Sequence, residues 1–183
     1  MTDRPIIFSS PMVRALLEGR KTQTRRLAWK RVMDRLAGDM IDAPSPWQHV
    51  QPGDRLYVRE TWMPAIDASG PSVRYAADYD AAGYQTMRAF QEWRSPLHHA
   101  RKDSRLTLVV AATRIERLHK ILDADARAEG LDYDGDRTAS ENFSKLWREL
   151  HGVESWCSNP DVVVLTFRVV KANIDAIEPP GKA

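Results

Sequence analysis

The chain has 183 residues, a hydrophobic fraction of 43%, a charged fraction of 28% and a formal net charge of +2. Such values describe one globular domain with a real core; no apolar run reaches membrane-spanning length, no signal-peptide core opens the chain, and the overall field is too weak to argue for nucleic acid. The single cysteine, Cys157, excludes an internal disulfide, and a cytoplasmic location is the expectation that follows.

Charge is unevenly spread. Residues 14–35 carry eight basic side chains against Glu18 and Asp34, while residues 123–136 carry six acidic ones against Arg127 alone. Each charge taken singly reads as part of a solvated face.

In chain order, Ile6–Phe8 suits a short opening strand. A helix is predicted over residues 11–18, with Ser10 as N-cap, Pro11 in the first turn, Gly19 as the stop and an apolar stripe at Met12, Ala15 and Leu16. Thr22–Leu27 reads as a strand. Residues 28–52 lack periodicity and read as a long loop with one helical turn. Pro52-Gly53-Asp54 is a turn signal, and residues 55–62 then alternate as a strand. Segment 63–104 reads as an insertion with a short strand near 73–76 and a helix near 85–93. Leu106–Ile115, apolar on both faces, is expected to be central. Asp123–Glu129 is a short helix ended by Gly130. Residues 140–151 form an amphipathic helix that buries Phe143, Leu146, Trp147 and Leu150. Asp161–Val169 is a final buried strand, and the tail from Lys171 is expected to fray.

Few arrangements carry chemistry. The five histidines and one cysteine show no zinc spacing, and phosphate-loop, dinucleotide and nucleophile-elbow motifs are absent from the sequence. No metal or cofactor is expected. The run Gly19 to Arg26 places a lysine, two threonines and three arginines between a helix end and a strand. A threonine hydroxyl needs a base, and a lysine among cations can serve if burial lowers its proton affinity. In a regular strand, residues three apart face opposite sides, so Lys21 and Thr24 converge only if the chain bends. On spacing alone Lys21 is a solvated lysine and Thr24 an ordinary strand residue. Glu129 ends a helix, where the dipole works against a carboxylate and suits proton transfer, but on position alone it reads as a frayed, exposed glutamate. Tyr57, Trp62, Tyr75 and Trp93 offer stacking faces.

Gly19-x-Lys21 followed by Arg26 resembles the GxKxxxxR signature of ASCH domains. The opening "PIIFS-PMVRA-L-GRKTQTRR" and the later "PGDRLYVRETW" resemble phage and prophage members of that group. The resemblance implies an α+β fold: a PUA-like mixed β-barrel of five or six strands with flanking helices. It would form a single domain over residues 1–170, with an insertion near 63–104 and a C-terminal tail at 171–183. Some ASCH proteins are amidohydrolases that remove the acyl group from 4-acylated cytidine nucleosides with a threonine, a lysine and a glutamate. The matching residues here are Lys21, Thr24 and Glu129, the last in Ala126–Gly130. Arg26, Tyr57, Arg59, Glu60, Trp62 and Arg105 are the expected substrate-binding residues, and a modified cytidine nucleoside is the expected partner. The alternatives are a binding module for RNA or a modified base, and a ribonuclease acting on single-stranded RNA. Residues 93–105 and 159–167 depart from the prophage pattern, which implies a pocket of different shape.

Overall fold

The computed structural model describes residues 2–34 and 38–177. Among the described residues the fold is α+β, with a mixed five-stranded sheet in the order β1-β5-β8-β9-β2, two separate hairpins and five α-helices. β1 (Asp3–Ile7) and β2 (Gln23–Leu27) stand at the two ends of that order, and no pairing closes it into a barrel among the described residues. None of the described helices is long and apolar enough to cross a membrane. The chain divides into two compact units, one made of Met1–Gly19, Gly53–Val109 and Arg168–Ala183, the other of Arg20–Pro52 and Val110–Phe167.

In the first unit β1 runs parallel to β5 (Arg55–Arg59), with Ile6 opposite Val58. β5 pairs antiparallel with the start of β8 (Thr107–Arg117), with Leu56 opposite Leu108. All four of these side chains are buried, as alternation within a half-covered strand requires. α1 (Ser10–Leu17) buries Val13, Ala15 and Leu16. Its N-cap is Ser9 rather than Ser10, and no side-chain bond caps it. Gly19 ends it at φ +77°, a left-handed conformation that only glycine adopts without cost. Segment 63–104 is more regular than expected. β6 (Trp62–Asp67) and β7 (Gly70–Tyr75) form a hairpin, and α2 (Ala81–Phe90) follows, capped by Asp80, whose carboxylate accepts the Gly83 N–H at 2.7 Å.

The tail does not fray where expected. Ile174 is fully buried, and Arg55 donates to the carbonyls of Ile174 and Ile177 at 3.1 and 2.8 Å. One buried guanidinium thus fastens a segment that has no strand partner. The remaining tail, 178–183, lies outside the described residues.

In the second unit β2 pairs antiparallel with β9 (Asp161–Val170), with Thr24 opposite Leu165 and Arg26 opposite Val163. β3 (Trp29–Met33) and β4 (Met40–Pro44) form a hairpin where the sequence predicts a loop. Its strands are exposed at nearly every position, so no buried face imposes the alternation by which strands are recognised. The single helical turn expected in this stretch is at Pro46–His49. β8 is central in the sheet order, but is mostly exposed beyond Val110.

Three helices complete this unit: α3 (Asp123–Ala128), α4 (Ala139–His151) and α5 (Val153–Cys157). Thr138 and Glu141 cap α4 reciprocally, the threonine hydroxyl accepting the Glu141 N–H and the glutamate accepting the Thr138 N–H. Phe143 and Trp147 enter a core with Leu118, Ile121, Val162 and Val164. Leu146 is only half-buried and Leu150 is 65% exposed, so the buried stripe is narrower than the apolar one. Trp147→Ala is expected to cost about 3–5 kcal/mol through the cavity it leaves. Leu150→Ala should change stability by about 0.5 kcal/mol or less. Chemical denaturation of both variants checks the pair.

Candidate active site

Lys21 is 2% exposed, which overturns its reading as a solvated lysine. Its position follows from how the chain leaves α1. After Gly19, Lys21 forms an isolated antiparallel bridge with Glu129, and the Thr22 N–H donates to the Ala128 carbonyl at 2.8 Å. The Phe167 N–H donates to the Thr22 carbonyl at 2.9 Å on the other edge. The start of β2 is thereby held from both sides. Glu129 follows α3 directly, and Gly130 turns the chain away at φ +89°.

The Lys21 ammonium donates to Glu129 Oε2 at 2.8 Å and to the Glu129 carbonyl at 2.7 Å. Glu129 is itself buried. Arg20, one residue earlier, donates to the Gly130 carbonyl at 3.0 Å. Burial pushes the Lys21 ammonium below the ordinary lysine range; Glu129 draws it back up, and Arg26 and Arg25 push it down again.

Around this pair lies a group that sequence reasoning left in the undifferentiated basic run. Arg25 Nη1 donates to Gln23 Oε1 at 2.7 Å and lies 3.4 Å from Glu129 Oε1. Its Nη2 lies 2.9 Å from Glu116 Oε1 and 3.3 Å from Asp125 Oδ2. Lys21, Gln23 and Arg25 therefore share one face of β2, as a period of two from Lys21 would have indicated. Thr24, buried and in regular register between Gln23 and Arg25, leaves from the opposite face. Arg26 has its guanidinium 5.6 Å from the Trp47 ring centroid and is close enough to the pair to push the Lys21 ammonium down and to be drawn up by Glu129.

The other expected substrate-binding residues belong to the first unit and are engaged there by protein groups. Glu60 is buried, and its two oxygens accept from Arg105 at 3.0 and 2.9 Å. Arg105 also reaches Asp78 and covers the Tyr75 ring at 4.0 Å. Burial raises the Glu60 carboxyl above its ordinary range, and Arg105 opposes that rise. Arg59 donates to the carbonyls of His99 and Leu97. Tyr57 is half-buried, with the Arg101 guanidinium 5.7 Å from its ring. Trp62 is only 9% exposed, with the Arg94 guanidinium 5.1 Å from its ring centroid, and so is no open platform. Trp93 stacks on Tyr84.

His99, one of the five histidines without zinc spacing, is buried beside Trp62 and Tyr75. Its Nδ1 accepts the Glu60 N–H at 3.3 Å, which leaves Nε2 to donate to the Asp103 carbonyl at 3.1 Å. Burial lowers its proton affinity.

No family model matches the chain, and no curated protein matches it. Among solved structures the chain is similar to the crystal structure of protein EF3133 from Enterococcus faecalis V583, of the family DUF984. It is 13% identical, with a TM-score of 0.42, over 97% of this chain and 86% of that one. At that similarity neither fold nor function transfers.

Two outcomes follow from the geometry. Glu129→Ala leaves the Lys21 ammonium and one edge of Arg25 uncompensated, and should cost about 3–5 kcal/mol at neutral pH. The loss should shrink as pH rises and Lys21 gives up its proton; denaturation at two pH values reads it. His99 is held neutral in the fold, whereas the unfolded chain takes up a proton near the ordinary value of 6.5. Its contribution is therefore present above that pH and lost as pH falls through the lower folded value. Melting temperature should decline below about pH 6.5 in the native protein, and the decline should be weaker in His99→Gln.

Proposed function

We propose that the chain is an amidohydrolase that removes an acyl group from the exocyclic nitrogen of 4-acylated cytosine nucleosides, on a PUA-like scaffold of the ASCH type. One observation carries the reading: the signature lysine, Lys21, is buried and ion-paired with Glu129, the carboxylate that the sequence resemblance couples to it. Burial makes the neutral amine accessible, and a neutral amine beside a carboxylate can take a proton and return it.

The reaction needs a nucleophile at the acyl carbon and a proton for the departing nitrogen. In the threonine route, Thr24 Oγ1 bonds to the carbonyl carbon and its proton passes to Lys21 Nζ. The C–N bond then breaks, and Lys21 protonates the exocyclic nitrogen as the cytosine leaves. Water cleaves the resulting ester, releasing the carboxylic acid and restoring the hydroxyl. In the direct route, water takes the place of the hydroxyl, its proton goes to Lys21, and the acid and the nucleoside form in one displacement. The direct route asks less of the site, because only Lys21 and Glu129 must then meet the substrate. Arg26 supplies a cation for the developing oxyanion if the acyl oxygen lies on the threonine's side.

The test is incubation with 4-acetylcytidine while cytidine release is followed. The native protein should turn over. Lys21→Arg should be nearly inactive, because arginine does not release its proton in this range. Thr24→Ala separates the routes: lost turnover selects the threonine, and retained turnover selects water. Absence of cytidine release by the native protein would overturn the reading.

A further inference from the structure

Lys21, the proton carrier of the function proposed above, presents an electrostatic difficulty. When it becomes neutral, Glu129 is left as a buried carboxylate that has lost its cationic partner on Oε2. A buried, uncompensated carboxylate is costly, and Lys21 would retain its proton to avoid it. The difficulty is met on the other oxygen.

Arg25 Nη1 lies 3.4 Å from Glu129 Oε1, while Lys21 Nζ holds Oε2 at 2.8 Å. The Arg25 side chain is 0% exposed. Gln23 Oε1 accepts from the same Nη1, and Glu116 and Asp125 hold Nη2. The Phe143 ring centroid lies 5.9 Å from the guanidinium carbon. Glu116 and Asp125 are tied in turn by Arg114, whose Nε is 3.0 Å from Glu116 Oε2 and whose Nη2 is 3.3 Å from Asp125 Oδ1. This chain of charges runs from the half-exposed Arg114 inward to Lys21, and each carboxylate in it touches two cations.

We infer that Arg25 is a positioning residue for the Lys21–Glu129 pair: it fixes the carboxylate through one oxygen and supplies the permanent positive charge that lets Lys21 pass between ammonium and amine. An arginine suits this place because it stays protonated throughout, whereas a second lysine could neutralise with the first. The charged groups around Lys21 include Glu129, Arg25 and Arg26, with Arg20 on the adjacent Gly130 carbonyl. Behind Arg25 stand Glu116, Asp125 and Arg114. Within this set Arg25 pushes Lys21 toward the amine, and Glu116, by drawing on Arg25, opposes it.

The inference rests on the proposed function for its purpose, but its test does not need turnover. The measurement is the titration midpoint of Lys21, read from its Cε resonance by 13C NMR, in the native protein, Arg25→Met and Glu116→Gln. Arg25→Met should raise the midpoint by about 1 pH unit or more, since a neighbouring cation is lost. Glu116→Gln should lower it, since an anion is lost while the side-chain shape is kept. If the native protein deacylates 4-acetylcytidine, the acid limb of its pH–rate profile should move in the same two directions, with KM little changed. A merely structural Arg25 would change stability without ordering the midpoints in opposite directions. An unmoved midpoint in Arg25→Met, or shifts of one sign in both variants, overturns the inference. Should Arg25→Met fail to fold, Glu116→Gln decides alone: a downward shift supports the inference, and an upward or absent shift refutes it. Failure of the native protein to release cytidine would reject the amidohydrolase reading and leave the midpoints to judge Arg25.

Discussion

A buried ammonium needs an anion to meet it, and much of the second unit follows from that constraint. Lys21 enters the interior at the start of β2, so a carboxylate has to arrive from elsewhere in the chain. It comes from the residue directly after α3, over a hundred positions away. The backbone bridge between Lys21 and Glu129, the turn at Gly130 and the Arg20 bond to the Gly130 carbonyl bring that residue up and hold it. Buried ion pairs contribute little net stability, because desolvation offsets most of the attraction. A fold that keeps one, together with Gln23, Arg25, Glu116 and Asp125, gains position and charge control more than strength.

The first unit buries a carboxylate too, and the contrast is informative. Glu60 gives both oxygens to a single guanidinium, Arg105, which also pairs with Asp78 and covers Tyr75. The cation there is permanent, so Glu60 is clamped by a partner that does not itself give up a proton. Glu129 divides its oxygens between a cation that can lose its proton and one that cannot. That asymmetry separates Glu129 from Glu60, and the proposed acid–base role rests on it.

Much of this was legible in the sequence wherever local pattern and burial agree. The α1 stripe, the Gly19 stop, the alternation over 55–59, the apolar runs at 107–110 and 161–165, and the α4 face through Phe143 and Trp147 all match their surroundings. The β3–β4 hairpin was not legible, because strands exposed on both sides need no alternation. The tail through Ile177 was missed because it is fastened by Arg55, a residue far away in sequence. Within the site, the sequence resemblance pairs Lys21 with Glu129. Spacing alone could not show that Lys21 is buried, since a lysine reads as solvated until its partner is known. The role of Arg25 was available in principle from the repeat of two beginning at Lys21, and was hidden because four cations lay between Arg20 and Arg26.

The pleat of β2 has a bearing on how this chain can change over evolutionary time. Both faces of the strand are committed, one to Glu129 through Lys21 and Arg25 and the other to Thr24 and Arg26. Gaining or losing one residue between Gly19 and Leu27 would exchange the two faces wholesale, putting a threonine where the amine stood. Lineages can therefore vary this stretch by substitution but hardly by length. The hairpin that follows, open on both sides, can lengthen or shorten freely, and diversification among relatives should concentrate there.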